Sequence, residues 1–157
     1  MSDRPRRLAL VASKGTLDQA YPALILATTA ASMGWEAGIY FTFHGLDIIH
    51  KKRHAALKIA PVGNPAGPIQ VPTLLGVIPG ATTAATGMMK RWMGRANMPG
   101  IPEFVEMAQG LGVRFFACST TMGVMGVEED DLIPGCDIAG AAAFLDYAAE
   151  ADVQLFT

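Results

Sequence analysis

The chain has 157 residues, 51% of them hydrophobic and 17% charged, with a formal net charge of −2 and a pI near 5.9. That length suits one domain with a real core, so residues 1–157 are read as a single domain. No basic stripe runs through it, which argues against nucleic acid as a partner. Its two cysteines, Cys118 and Cys136, form neither a disulfide framework nor a Cys-x-x-Cys pair, so a reducing cytoplasm is the expected compartment.

Arg4, Arg6 and Arg7 cluster at the start and read as a solvated end; the apolar run behind them is too short for a secretory leader. That run, Arg7 to Ser13, is nearly all apolar, as expected for a strand covered on both faces. Lys14-Gly15-Thr16-Leu17-Asp18 turns into a helix, and Thr16 with Gln19 fits a capping box. Pro22 disagrees with so early a start, since proline is tolerated only in a first turn, so the regular helix is expected to begin nearer Gln19 and to run to Met33 before Gly34. Trp35 to Phe43 is a second strand. A short helix opens at Gly45 and ends in Lys51-Lys52-Arg53.

From Ile59 to Met89 there is no charged residue. Pro61, Pro65, Pro68, Pro72 and Pro79 interrupt that stretch, so a spanning helix of roughly 20 apolar residues is not expected there. The region 59–95 reads as a Pro/Gly-rich loop and then a helix over Thr82–Met93, facing the core or a subunit. Peripheral membrane contact is the lesser reading. The methionines and Trp92 on that helix point to a homo-oligomer interface. Pro102 to Leu111 is a further helix, Val113 to Cys118 a strand, Asp130 to Gly140 a connection, Ala141 to Ala149 a helix and Val153 to Phe156 a last strand. Strands alternating with helices predict a three-layer α/β fold with a mostly parallel sheet of about five strands. In such sheets ligands sit beyond the carboxyl ends of the strands, so the loops at Ser13–Gly15, Phe43–Gly45 and Cys118–Thr120 should meet.

Cys118 is the residue with the most chemistry. It stands between an apolar strand and a Ser119-Thr120-Thr121 helix start, where unpaired N–H groups and the positive end of a dipole favour thiolate over thiol. A sulfur nucleophile or sulfur carrier needs that setting; the alternative is a buried, inert cysteine. Ser119 and Thr120 could stabilise an anion on it. Lys14 could lower its pKa or draw in an anionic donor, or be a solvated loop lysine. Gly15 would allow close approach of a ligand, or of its own turn. His44, beside Gly45, reads as a proton donor, a thiolate partner or a merely polar loop residue. Cys136 could resolve a disulfide with Cys118 or hold a second sulfur as an auxiliary cysteine. His50 and His54 have metal-ligand spacing but sit among Lys51, Lys52 and Arg53 with no third ligand, so no metal site is expected. The acidic run Glu128–Asp131 reads as a solvated loop or a docking point for a basic partner. Ser13-Lys14-Gly15-Thr16 is not a Walker loop and no G-x-G-x-x-G follows the strand, so no cofactor is expected, and a flavin-binding or other small-molecule module stays as an alternative. An oligomeric scaffold at a membrane surface is another.

Three pieces of sequence carry a resemblance: Ser13-Lys14-Gly15-Thr16-Leu17-Asp18, Phe41-Thr42-Phe43-His44-Gly45-Leu46, and Ala117-Cys118-Ser119-Thr120-Thr121-Met122-Gly123-Val124-Met125-Gly126. In this order, with Ile138–Gly140 through Leu155-Phe156, they resemble the DsrE/DsrF-like sulfurtransferases of the DsrE2/DsrE3 type over most of the chain. The resemblance implies a flavodoxin-like, DsrE-like fold of five strands, an oligomer, and a cysteine that carries sulfur as persulfide or thiosulfonate, which falls on Cys118. It implies a TusA-like sulfur carrier protein or a rhodanese as partner. An aromatic residue, usually tryptophan, would be expected where this chain has His44, and Cys136 matches no cysteine of the family. Peroxiredoxin chemistry is not implied, because no Pro-x-x-x-Thr-x-x-Cys precedes Cys118.

Overall fold

A computed structural model describes residues 4–60 and 78–157. Five strands form one all-parallel sheet in the order β4-β3-β2-β1-β5: β1 Arg7–Ala12, β2 Glu36–Phe41, β3 Arg114–Cys118, β4 Cys136–Ala139 and β5 Val153–Phe156. The helices are α1 Leu17–Ser32, α2 Ala81–Arg95, α3 Ile101–Gly110, α4 Ser119–Met125 and α5 Ala141–Ala149, with short 3-10 turns at Phe43–Ile48, His54–Ala56 and Glu129–Asp131. The expected α/β fold with a five-stranded sheet is therefore present.

The order of strands decides which face each helix covers. β1 to β4 step in one direction across the sheet, and β5 returns to the far side of β1. Right-handed crossovers then put α1 and α3 on one face and α5 on the other. The core divides in the same way. Leu10, Leu24, Ile39, Phe41 and Phe115 are fully buried under α1 and α3. Ala9, Tyr40, Phe116, Cys118 and Ala139 face Phe144 and Ala148 of α5. This second layer is thin, one nine-residue helix, and it is held by aromatic contact. Tyr40 stacks on Phe144 at 4.6 Å and Phe116 meets Tyr147 at 5.1 Å. Arg7 fastens the opposite edge, pairing with Glu36 and Glu150 at 2.6 and 2.7 Å beneath the Tyr147 ring.

Three expectations change. Residues 130–140 are not a plain connection, since Cys136–Ala139 is edge strand β4. Its pattern is illegible because only Ala139 of the four is buried. α1 starts at Leu17 and keeps Pro22 inside it. The ring is on the exposed side and the missing N–H leaves one carbonyl of the first turn unpaired, a cost the buried stripe of Ala20, Leu24 and Ala27 offsets. The capping box at Thr16 does not form: its side chain caps nothing, and Oγ1 has no partner among the described residues. The Pro/Gly part of the uncharged stretch, and with it most of the surface read for membrane contact, lies outside the described residues. Within them, no helix is long and apolar enough to cross a membrane. On α2, Met89 and Met93 pack on the core while Met88 and Trp92 are exposed.

Candidate functional site

The loops after β1, β2 and β3 meet at the carboxyl edge of the sheet. Two glycines make the meeting possible. A methyl group on Gly45 would overlap the carbonyl oxygen of Ala12, and one on Gly15 would overlap the carbonyl oxygen of His44. The close approach these glycines permit is thus between the two loops themselves.

Cys118 ends β3 and caps α4. Its side chain, 7% exposed, turns to the α5 face, and Sγ accepts the Thr121 N–H at 3.4 Å. Parallel pairing of Phe41 with Ala117 sets Thr42 opposite Cys118 and Tyr40 two residue pairs below them, opposite Phe116. Thr42 and Thr121 hydroxyls are 2.9 Å apart, and the Phe43 N–H donates to Thr121 Oγ1 at 3.2 Å. Thr121 has one proton to give and two lone pairs. The Phe43 N–H occupies one of those lone pairs, and one of the two threonine hydroxyls donates to the other, which leaves one hydroxyl proton of the pair for the sulfur. Phe43 holds a left-handed backbone, φ 46°, to turn its N–H inward, and its ring stays 61% exposed at the mouth.

Burial pushes the Cys118 thiol up, but hydrogen bonds to the thiolate from the Thr121 side chain, Tyr40, the Thr121 N–H and Thr42 outweigh it and lower the pKa from 9.0 to about 7. Tyr40 moves the other way: burial and the neighbouring sulfur both hold its phenol protonated, so it remains a donor. The groups that favour the thiolate are thus neutral donors.

Ser119 and Thr120 lie at the first turn of α4 with exposed side chains, and the N–H that reaches sulfur is that of Thr121. The geometry of an N-cap predicts this, because a capping side chain accepts from the second or third helical residue. Lys14 and His44 are not among the groups that lower the thiol. Both line a separate cavity of about 700 Å³ beside the start of α1. Cys136 stands opposite Phe115, three residue pairs from Cys118, and packs on the α1 side of the sheet. That is about 10 Å along the strands, beyond the usual disulfide Cα separation. Burial and Asp137 push its thiol up to about 12. His50 is buried and accepts the Lys52 N–H at 3.2 Å. Among the described residues no three His, Cys, Asp or Glu side chains gather as a metal site.

Tyr40, Thr42 and Thr121 were not singled out from the sequence. Their signal is register. Once Cys118 ends its strand, the neighbouring parallel strand must place a residue opposite it, and alternation puts Tyr40 on the same face.

The chain is 38% identical to the sulfur carrier protein DsrE2 of Allochromatium vinosum over 157 residues, covering 96% of this chain and 98% of that protein. It is 31% identical to the uncharacterized protein YrkE of Bacillus subtilis, with 99% of each covered. The fold is similar to that of the ychN protein from E. coli, with a TM-score of 0.60 at 12% identity over 97% of this chain and 99% of that one. It is also similar to protein MTH1491 from Methanobacterium thermoautotrophicum, with a TM-score of 0.55 at 14% identity and the same coverage. The profile of the DsrE/DsrF/DrsH-like family matches residues 4–156, and the chain belongs to that family.

Proposed function

We propose that this protein is a sulfur carrier of the thiol type, with Cys118 as the carrying residue. The observation that carries the reading is the buried Cys118 sulfur at the N-cap of α4, accepting the Thr121 N–H, with its pKa lowered to about 7. A relative named as a sulfur carrier, aligned over nearly the whole chain, supports it.

In the loading step the Cys118 thiolate attacks the outer sulfur of a donor persulfide, R–S–SH. A new S–S bond forms at Cys118, the donor S–S bond breaks, and R–S⁻ leaves with the electron pair. No net oxidation occurs. Delivery is the reverse reaction with an acceptor thiolate. A polythionate donor instead leaves thiosulfonate on Cys118 and releases a sulfur oxyanion. The partner thiol belongs to a TusA-like carrier or a rhodanese, and the setting is the cytoplasm. The exposed Val124, Leu145 and Phe156 on α4, α5 and β5 fit a homo-oligomer.

Intact-protein mass spectrometry after incubation with polysulfide or tetrathionate tests this. A reducible sulfur adduct is expected on the wild type and not on Cys118→Ser. The same adduct on both proteins, or on neither, refutes the assignment.

A further inference from the structure

The cavity beside α1 is unused by the sulfur chemistry, and Cys118 is not among its lining residues. It measures about 700 Å³, inside the range of roughly 300–1,000 Å³ typical of small-molecule sites. Its wall is fixed. Leu17 N–H donates to the Lys58 carbonyl at 2.8 Å, Ala60 N–H to Asp18 at 3.1 Å, and Ile59 N–H to Thr86 at 3.2 Å.

Charge on that wall is one-sided. Lys14, Lys52, Lys58 and Arg53 line it, and Asp47, the one acid lining it among the described residues, is taken by Arg53 at 2.8 Å. Among the described residues none of the three lysines has a carboxylate within ion-pair distance. Leu57 and Ile59 supply an apolar floor. Thr16 adds a buried hydroxyl with no partner among the described residues. Three uncompensated cations above an apolar floor suit a ligand with clustered negative charge and an apolar body.

We propose that this cavity binds a small phosphorylated organic anion, independently of Cys118. The lysines hold the phosphates, and the body of the ligand lies on Leu57 and Ile59.

Isothermal titration calorimetry with ATP, inorganic pyrophosphate and adenosine on the full chain tests it. ATP is expected to bind more tightly than pyrophosphate, and adenosine far more weakly than either. Raising salt from about 50 to about 200 mM should weaken ATP binding, because screening acts on exposed charge. The triple variant Lys14→Gln, Lys52→Gln, Lys58→Gln should lose about tenfold or more in ATP affinity. Exposed lysines leave the fold intact, and an unchanged far-UV spectrum verifies this; the single variant Lys52→Gln should show a smaller loss in the same direction. Equal binding of ATP and pyrophosphate would reduce the site to an inorganic anion site and overturn the proposal. So would wild-type affinity in the triple variant, or no heat with either anion.

Discussion

Replacing Tyr40 by Phe should raise the pKa of Cys118 without disturbing the layer around it. The ring that stacks on Phe144 at 4.6 Å is kept, and only the hydroxyl is removed. Donors together bring the thiol from 9.0 to about 7 against the opposing effect of burial, with Tyr40 second among the side-chain donors after Thr121. A hydrogen bond to a charged group is worth about 1.5–3 kcal/mol, and one pKa unit is about 1.4 kcal/mol. Repair by the remaining donors reduces the net effect to about one unit. Thiolate then falls from about half to about a tenth of the population at pH 7, and alkylation by iodoacetamide slows about fivefold there. The rates of variant and wild type should converge above pH 9. The assay is the pH dependence of alkylation, with Cys118→Ser as the control for Cys136, whose thiol at about 12 is silent in this window. An unchanged midpoint would show that the Tyr40 hydroxyl does not support the thiolate.

Thr121→Val removes the hydroxyl that joins Thr42, Phe43 and the sulfur but keeps the backbone donor, so the alkylation midpoint should rise by about one unit or more, with loss of folding stability of about 1–2 kcal/mol in urea. Gly45→Ala places a methyl on the Ala12 carbonyl and should cost at least about 2 kcal/mol, read from the urea midpoint; a neutral result would mean the two loops can part freely. Because the folded pKa of Cys118 is depressed, its thiolate contributes stability that is fully present above the unfolded value near 9.0 and lost as pH falls through about 7. The wild type should therefore gain on the order of 2 kcal/mol relative to Cys118→Ser between pH 7 and 9, measured by denaturation at each pH.

The sheet was legible where strands are buried on both faces. Arg7–Ala12 and Arg114–Cys118 are apolar runs bounded by turn residues, and both were found nearly to the residue. β4 was missed because an edge strand with exposed Asp137 and Ile138 carries no apolar run. The lowered pKa of Cys118 was legible because a cysteine at a strand-to-helix junction has a local cause for it. Its donors were not, because Tyr40 in β2 and Thr42 just after it lie more than seventy positions away, and only the pairing of Phe41 with Ala117 reveals them. Lys14 and His44 were grouped with Cys118 since all three follow strands. A strand end fixes the edge of the sheet but not the face, and the lysine and histidine open to the α1 side while the sulfur faces α5.

Burial of Cys118 bears on how sulfur would leave it. At 7% exposure the bare sulfur is nearly shut off, whereas a persulfide formed on it would place its terminal sulfur about 2 Å beyond Sγ. In the proposed carrier role an acceptor thiolate would therefore meet the outer sulfur first, and attack there would return the sulfane sulfur to the acceptor and leave Cys118 as thiolate. Attack on the inner sulfur would instead give a mixed disulfide and release hydrosulfide. The donors around Sγ favour the first route a second time, because a thiol with a pKa of about 7 is a better leaving group than one at 9. The same low pKa would make the thiolate abundant for the proposed loading at neutral pH, at some cost in intrinsic nucleophilicity. Tyr40→Phe and Thr121→Val should thus slow both loading and delivery at pH 7, while Cys118 alkylation at high pH stays fast. A variant that loads slowly yet delivers at the wild-type rate to a small thiol would show that leaving-group stabilisation is not what these hydroxyls provide.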